Sequence, residues 1–285
     1  MIYDIKHIIK RIYEKTTQFI PDKLYIKILY FVRMKKFPNL KNPQTYNEKL
    51  QYLKLKQEGP FYTHLSDKYT SRAYVAEKIG KQYLAKILWV GTDAREIPFH
   101  KLPKKFVIKC NHGSGYNIIV KDKKTINKEE TIKKLNRWLS NDFWKLGREL
   151  IYKNMKKKVY VEEYLADNIT DYKFFCFDGK PKMMFIATDR GIGTKFDFYD
   201  IDFNHMPFTQ GYPNNPNTPK KPKQYNKMIE LSKKLSEDVK HARIDFYEVE
   251  GKIYFGEITF YQFSGWMPII PEKYDRVMGE MIKLD

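Results

Sequence analysis

The chain has 285 residues, 42% of them hydrophobic and 31% charged, a balance that excludes both a disordered polyelectrolyte and a bundle of membrane spans. Its net charge is +19, and residues 1–150 carry nearly all of it, with 32 basic against 14 acidic side chains, or +18. Such a block favours polyanionic partners such as anionic lipid, acidic polysaccharide or nucleotides, although lysines that only solvate a surface give the same count.

No zinc-finger spacing, RNP-type strand or basic zipper points to nucleic acid, so none is expected as a partner. The two cysteines, Cys110 and Cys176, are too few for a disulfide framework or a zinc site and suit a reducing compartment. No apolar run approaches the ~18 residues of a membrane span, and no small-residue cleavage site follows an apolar core. A cytoplasmic protein is expected, with the inner face of the membrane as a surface it can meet.

Along the chain, Ile5, Ile8, Ile9, Ile12 and Phe19 recur near helical spacing between Lys6, Lys10, Arg11 and Lys15. Pro21-Asp22 interrupts this pattern before a second helix through Leu24–Phe31. A basic amphipathic helix of this kind either lies on an anionic membrane or packs on its own domain. These basic helices, residues 1–60, are expected to form a separate layer. Within them Thr45 and Glu48 have the spacing of a capping box.

A helix is predicted from Ser66-Asp67 to Ile79, closed by Gly80, and a strand over residues 83–90. Phe106–Cys110 and residues 116–121 read as two strands of a hairpin around the glycine-rich turn Asn111–Gly115. A helix follows over Ile126–Arg148, starting near Asn127, and then a strand at Val159–Leu165 carrying Glu162 and Glu163. Residues 171–187 read as a hairpin turning at Asp178-Gly179, a favoured turn pair. Five prolines make 204–223 a loop. Lys227–His241 is helical, and Ala242–Glu248 and Lys252–Ile258 are strands joined at Glu250-Gly251.

Two constellations carry chemistry. Lys109 interrupts an apolar strand just before Gly113-Ser114-Gly115. Glycine-freed backbone N–H groups and one lysine suit phosphate oxygens, and an ordinary hairpin turn has the same composition. In Arg243-Ile244-Asp245 and Glu257-Ile258-Thr259 the polar residues lie two apart, so each pair shares a strand face. Asp245 and Glu257 then converge either on a hard cation or in a surface ion-pair cluster. A third pattern, Asp200-Ile201-Asp202, is the DxD triplet by which some glycosyltransferases hold a metal on a nucleotide sugar, and equally a surface turn. A polysaccharide glycosyltransferase is therefore the alternative function, and a non-catalytic membrane-surface adaptor a third.

Taken in order, TYNEKL, DKY, LPKKFVIKCNHGSG, DYKFFCFDGK and RIDFYEVEGKIYFGEITF followed by SG resemble the TupA-like ATP-grasp family, which is associated with teichuronopeptide and other surface-polysaccharide biosynthesis. The resemblance implies an α+β ATP-grasp fold, two α+β subdomains enclosing a nucleotide cleft. Residues 61–160 would form the first, with the glycine loop, and 161–285 the second.

The same resemblance implies ATP and Mg2+ as cofactors. Lys68, Lys109 and the loop His112, Gly113, Ser114 and Gly115 would meet the phosphates. Glu162, Glu163, Tyr164 and Leu165 would meet the adenosine, and Lys173 would approach the nucleotide. Arg243 and Lys109 would act on the transferring phosphate, and Asp245 and Glu257 would hold magnesium. Thr259 stands where many ATP-grasp enzymes have Asn, and its hydroxyl would be a third, weaker magnesium ligand. The implied activity is carboxylate–amine ligation, with an acidic glycan as carboxylate donor and an amino acid as amine. The aromatic tract Phe260–Trp266 is expected to line the acceptor site.

Overall fold

A computed structural model describes residues 16–17, 19–189 and 193–284, so the helical reading of 1–15 lies outside the described residues. After α1 (Asp22–Met34) and α2 (Tyr46–Lys54) come α3 (Pro60–Ser66) and α4 (Ser71–Lys78). A four-stranded antiparallel sheet follows, built from β1 (Ile87–Gly91), β2 (Phe106–Cys110), β3 (Asn117–Val120) and β4 (Val159–Glu163) in the order β1-β4-β2-β3. Between β3 and β4 lie α5 (Lys128–Ser140) and the short α6 (Trp144–Gly147). Leu135 of α5 packs with Phe106, Ile108, Val159 and Val161 in a core belonging to this sheet.

The second sheet has six strands in the order β11-β10-β5-β6-β7-β8. They are β5 (Asp171–Phe177), β6 (Lys180–Thr188), β7 (Lys195–Asp200), β8 (His205–Met206), β10 (His241–Val249) and β11 (Lys252–Thr259). Alternation along β5 buries both faces. Phe174 packs on Phe246 and on Tyr225 of α7 (Tyr225–Ser236), whereas Phe175 meets Tyr46 of α2 edge-on at 6.1 Å. A small sheet pairs β9 (Thr209–Gln210) with β12 (Ile269–Ile270), and α8 (Lys273–Glu280) closes the described chain.

Local signals place several boundaries. Thr45 and Glu48 form the expected capping box, and the Asn127 side chain caps α5 by accepting from the Glu130 N–H. Asp178 and Gly179 both take positive φ, as a two-residue hairpin turn requires.

Four expectations are corrected. The helix read over 66–79 is two helices. The Asp67 carboxylate accepts from the Tyr69 and Thr70 N–H groups at 2.8 and 3.1 Å and opens a turn between them. The helix over 126–148 stops at Ser140, and only 144–147 resumes it. The strand over 83–90 shrinks to 87–91, after a 3-10 turn at 81–83.

The fourth concerns the proposed outer layer of residues 1–60. Its helix α2 is interior: Tyr46, Leu50 and Leu53 join the core of the six-stranded sheet. Its polar stripe is interior too. The Asn47 backbone and side chain donate to Asp275 of α8 at 2.9 and 3.1 Å, and Gln51 donates to Gly265 O at 2.8 Å. A helix whose polar side is satisfied by backbone and carboxylate partners reads as a surface helix in sequence.

β4 spans the expected boundary at 160/161. All its strand pairs lie in the four-stranded sheet, so the chain crosses to the second sheet after Glu163.

Candidate active site

The site lies on the Phe175 face of the six-stranded sheet, where β5, β10 and β11 run side by side. Arg243 stands opposite Phe175 and Thr259, and Asp245 opposite Lys173. The polar side chains therefore share one face through register alone. Between β10 and β11 the register shifts. Ile244 pairs with Ile258 and Phe246 with Phe255, so Asp245 faces both Gly256 and Glu257. This bulge reverses the alternation along β11. Glu257 joins Thr259 on the polar face, while Phe255 and Ile258 share the opposite, core-facing side.

Charges of both signs interlock here. The Arg243 guanidinium donates to Asp245 Oδ1 at 2.6 Å and Oδ2 at 2.7 Å, and to Glu257 Oε1 and Thr259 Oγ1 at 3.0 Å each. Its remaining arm bonds Gln262 Oε1, just past β11. The Lys173 ammonium bonds Asp245 and lies 3.6 Å from Asp171. Thr259 donates its hydroxyl to Glu257 Oε1 at 3.1 Å. Burial alone would raise the Glu257 carboxyl, but Lys68, Arg243 and Lys173 together hold it well below the usual carboxylate range. Glu257 is thus a stable anion, as a hard-cation ligand must be.

Lys68 joins this cluster to the glycine turn of the other sheet. Its ammonium lies 3.2 Å from Glu257 Oε2 and donates to Gly113 O at 2.7 Å. Its backbone N–H donates to Asn111 O at 3.0 Å. Asn111 is fully buried. Its Nδ2 donates to Asp67 at 2.7 Å and to Lys156 O at 3.0 Å, and its Oδ1 accepts from the Lys158 N–H at 2.7 Å. The turn between α3 and α4, the glycine turn and the entry to β4 are therefore locked together around one amide.

The remaining expected residues divide. Gly113 and Gly115 both have positive φ, and Ser114 and Gly115 are exposed at the tip. Lys109 pairs with Glu162 across β2 and β4, so the anion its strand position calls for is a neighbouring carboxylate. Glu163 turns to the Lys86 N–H at 2.8 Å. Tyr164 donates to Asp167 at 2.5 Å, and Leu165 lies in the crossing between sheets.

The His112 ring is a correction to the expected phosphate loop. It is buried against Tyr116 with Nε2 3.0 Å from Trp138 O, and burial lowers it to about 4. Asp200 of the DxD triplet accepts from the Asp202 and Asn204 N–H groups at 3.0 and 2.8 Å, which makes a closed surface turn. The sequence reading missed Asn111, Gln262 and Asp171 as partners. Only Asp171, two residues before Lys173 on one strand, carried a spacing signal.

A model of the TupA-like ATP-grasp family matches residues 48–283. The chain belongs to that family. The expected ATP-grasp fold follows from this membership, and the mixed helices and antiparallel sheets agree with it. No curated protein matches the chain.

Among solved structures, it is similar to N5-carboxyaminoimidazole synthetase from Staphylococcus aureus, at TM-score 0.41 and 12% identity over 68% of this chain and 44% of that one. It is also similar to D-alanine-D-alanine ligase from Helicobacter pylori, at 0.42 and 15% over 77% and 61%. A third is the ATP-grasp ligase PsnB complexed with a phosphomimetic variant of its minimal precursor, Mg and ADP, at 0.44 and 11% over 83% and 66%. The alignments thus span about half to two thirds of these relatives' lengths.

Proposed function

We propose that the chain is an ATP-dependent carboxylate–amine ligase. One observation carries the reading: the Lys68 ammonium touches both the glycine turn of one sheet and Glu257 of the other. A triphosphate between the two sheets would meet that lysine together with Arg243 and Lys173, and the exposed tip Ser114-Gly115 on its other side. Lys109 would exchange Glu162 for a phosphate oxygen. Residues 162–165, at the exit of β4, would border the adenosine.

The donor chemistry fits magnesium, which is commonly bound by one or two carboxylates with phosphates completing the shell. Among the described residues no group of three or more acidic, histidine or cysteine side chains forms a self-sufficient metal cage. Asp245 and Glu257, with the Thr259 hydroxyl beside them, would hold the ion. When bound it offsets charge on the nucleotide phosphates.

In the first step the substrate carboxylate takes the γ-phosphoryl group from ATP, leaving an acyl phosphate and ADP. In the second an amine attacks that carbonyl, phosphate departs, the amine loses a proton and an amide remains. Arg243, held at fixed orientation by Asp245 and Gln262, would stabilise charge on the phosphoryl group during transfer.

The carboxylate is read as one on an acidic cell-surface polysaccharide or its precursor, and the amine as an amino acid. The net charge of +19 supports a polyanionic substrate.

The test is phosphate release from ATP with an acidic polysaccharide and a panel of amino acids. Release should need all three components. It should fall by at least about a hundredfold in Asp245→Asn and Arg243→Lys, the scale of losing a charge-stabilising contact in a transition state. ATP that neither binds nor turns over under any combination would overturn the reading.

A further inference from the structure

The helix α1 is apolar on two sides. Its inner side packs on the domain through Tyr25, Ile26 and Tyr30, all buried, with the Tyr25 hydroxyl donating to Leu146 O at 3.0 Å. Its outer side carries Leu24, Ile28, Phe31 and Val32 at helical spacing, 50, 47, 44 and 53% exposed. Phe37 stacks on Phe31 at 4.6 Å and is itself 66% exposed, and Phe19 before the helix is 83% exposed.

Six of the eleven large apolar side chains exposed among the described residues therefore lie between positions 19 and 37. Scattered exposed apolar residues need no explanation, but a contiguous stripe does.

Its rim is basic. From residue 22 to 37 there are five basic side chains, Lys23, Lys27, Arg33, Lys35 and Lys36, and one acid, Asp22, which pairs with the buried Arg148 at 3.1 Å. Lys23 lies one residue before Leu24, and Lys27 one before Ile28 and four before Phe31, beside the stripe. An apolar face bordered by lysines is chemically suited to the boundary between anionic headgroups and acyl chains. The residues ahead repeat this composition, with Lys6, Lys10, Arg11 and Lys15 against Asp4 and Glu14. These charges add to the attraction of the chain for an anionic surface.

We propose that the outer face of α1 docks the protein on an anionic lipid surface. The helix would lie in the interface plane, with Leu24, Ile28 and Phe31 below the headgroups and the lysines at phosphate level. The inner side of the same helix reaches the acceptor tract: Tyr30 meets Trp266 edge-on at 6.3 Å, a few residues past Thr259. Docking through α1 would therefore present the end of β11 toward the membrane rather than toward bulk solvent. The inference stands on α1 and holds whether or not the ligase reading does.

Co-sedimentation of the full chain with phosphatidylglycerol-containing vesicles and with pure phosphatidylcholine vesicles tests it. Binding should be confined largely to the anionic vesicles. It should weaken in about 1 M salt, where the screening length falls to roughly 3 Å.

The variant Leu24→Ser/Ile28→Ser/Phe31→Ser truncates side chains that are about half exposed. It should fold with a cooperative melt, at a melting temperature lowered by a few degrees at most, and lose at least about tenfold in vesicle affinity. Lys23→Glu/Lys27→Glu should lose binding to a similar degree and serves if the serine variant misfolds. Wild-type vesicle binding by both variants would overturn the proposal. So would a wild-type chain that ignores vesicles but forms a dimer which the serine variant breaks, for the face would then join two copies of the chain.

Discussion

Lys54 shows how much one side chain can hold. It is fully buried, and its ammonium donates to Gly147 O at 2.9 Å, Ser264 O at 2.5 Å and Ser264 Oγ at 2.7 Å, with the Trp266 ring 4.0 Å away. It thereby pins a turn in which Phe263, Ser264 and Gly265 all take positive φ, and that turn delivers Gln262 to Arg243. Burial lowers Lys54 to about 7, opposed by the charge of buried Glu149. Lys54→Met should cost about 1–3 kcal/mol, because it leaves the buried Gly147 and Ser264 carbonyls without their donor and removes a charge that opposes the burial of Glu149. Urea melts of Lys54→Met and Lys54→Met/Glu149→Gln check this, and the double variant should recover part of the loss.

The buried histidines give a second test at this scale. His241, between Cys176 O and the Tyr46 hydroxyl, and His112 are both lowered by burial from 6.5 to about 4. The unfolded chain therefore binds the extra protons between those values. Stability is full above about 6.5 and is lost as pH falls toward about 4, by up to roughly 3 kcal/mol per residue. The slope should be shallower in His241→Phe than in the wild type. An unchanged slope would mean that other groups carry the acid sensitivity.

At the scale of elements, the β10–β11 bulge and the α2–α8 contact decide where the site points. Gly256 lies opposite Asp245 in the bulge, and a Cβ there would sit 3.2 Å from Asp245 O and 3.3 Å from its Cβ. Deleting Gly256 would leave Phe255, Glu257, Ile258 and Thr259 in plain alternation, with Glu257 still on the polar face and directly opposite Asp245. ATP-dependent turnover should survive in part both in the deletion, which keeps Glu257 on the polar face, and in Gly256→Ala, where only a slight shift of neighbours is needed; its complete loss in the deletion would show that the bulge itself aims Glu257.

In α8, a Cβ on Gly279 would meet Gln44 O at 2.1 Å and the backbone at Thr45 and Tyr46 at 2.8 Å. Gly279→Ala should therefore push α8 from the start of α2 and destabilise the fold by about 1–3 kcal/mol or more. A thermal melt unchanged from wild type would show that the two helices are not in that contact. The hairpins and helix caps were legible in the sequence because each is settled within a few residues, as at Asp178-Gly179 or Thr45–Glu48. The break at Asp67 was not, because helix and Asx turn compete there and the second is favoured by the bond from Asn111.

For the molecule as a whole, the link between the two sheets runs through Lys68. Lys68→Met should loosen the glycine turn, with faster amide exchange over 111–116. ATP affinity should drop by roughly tenfold or more, the scale of one charge-assisted hydrogen bond. Unchanged exchange and affinity would separate Lys68 from the nucleotide.

By itself the sequence determined the order of elements, the glycine turn, the terminal carboxylate hairpin and the excess of basic charge in the first half. All of these depend on local spacing or on composition. Tertiary structure alone decided that α2 is interior, that His112 faces inward and that one lysine ammonium joins Gly113 to Glu257. It also decided that Lys109 pairs with Glu162. The reason is physical: the partner that makes a buried amide or ammonium tolerable, as for Asn47, Lys54 and Asn111, arrives from a distant segment, and no periodicity in the helix or strand that bears it encodes that arrival.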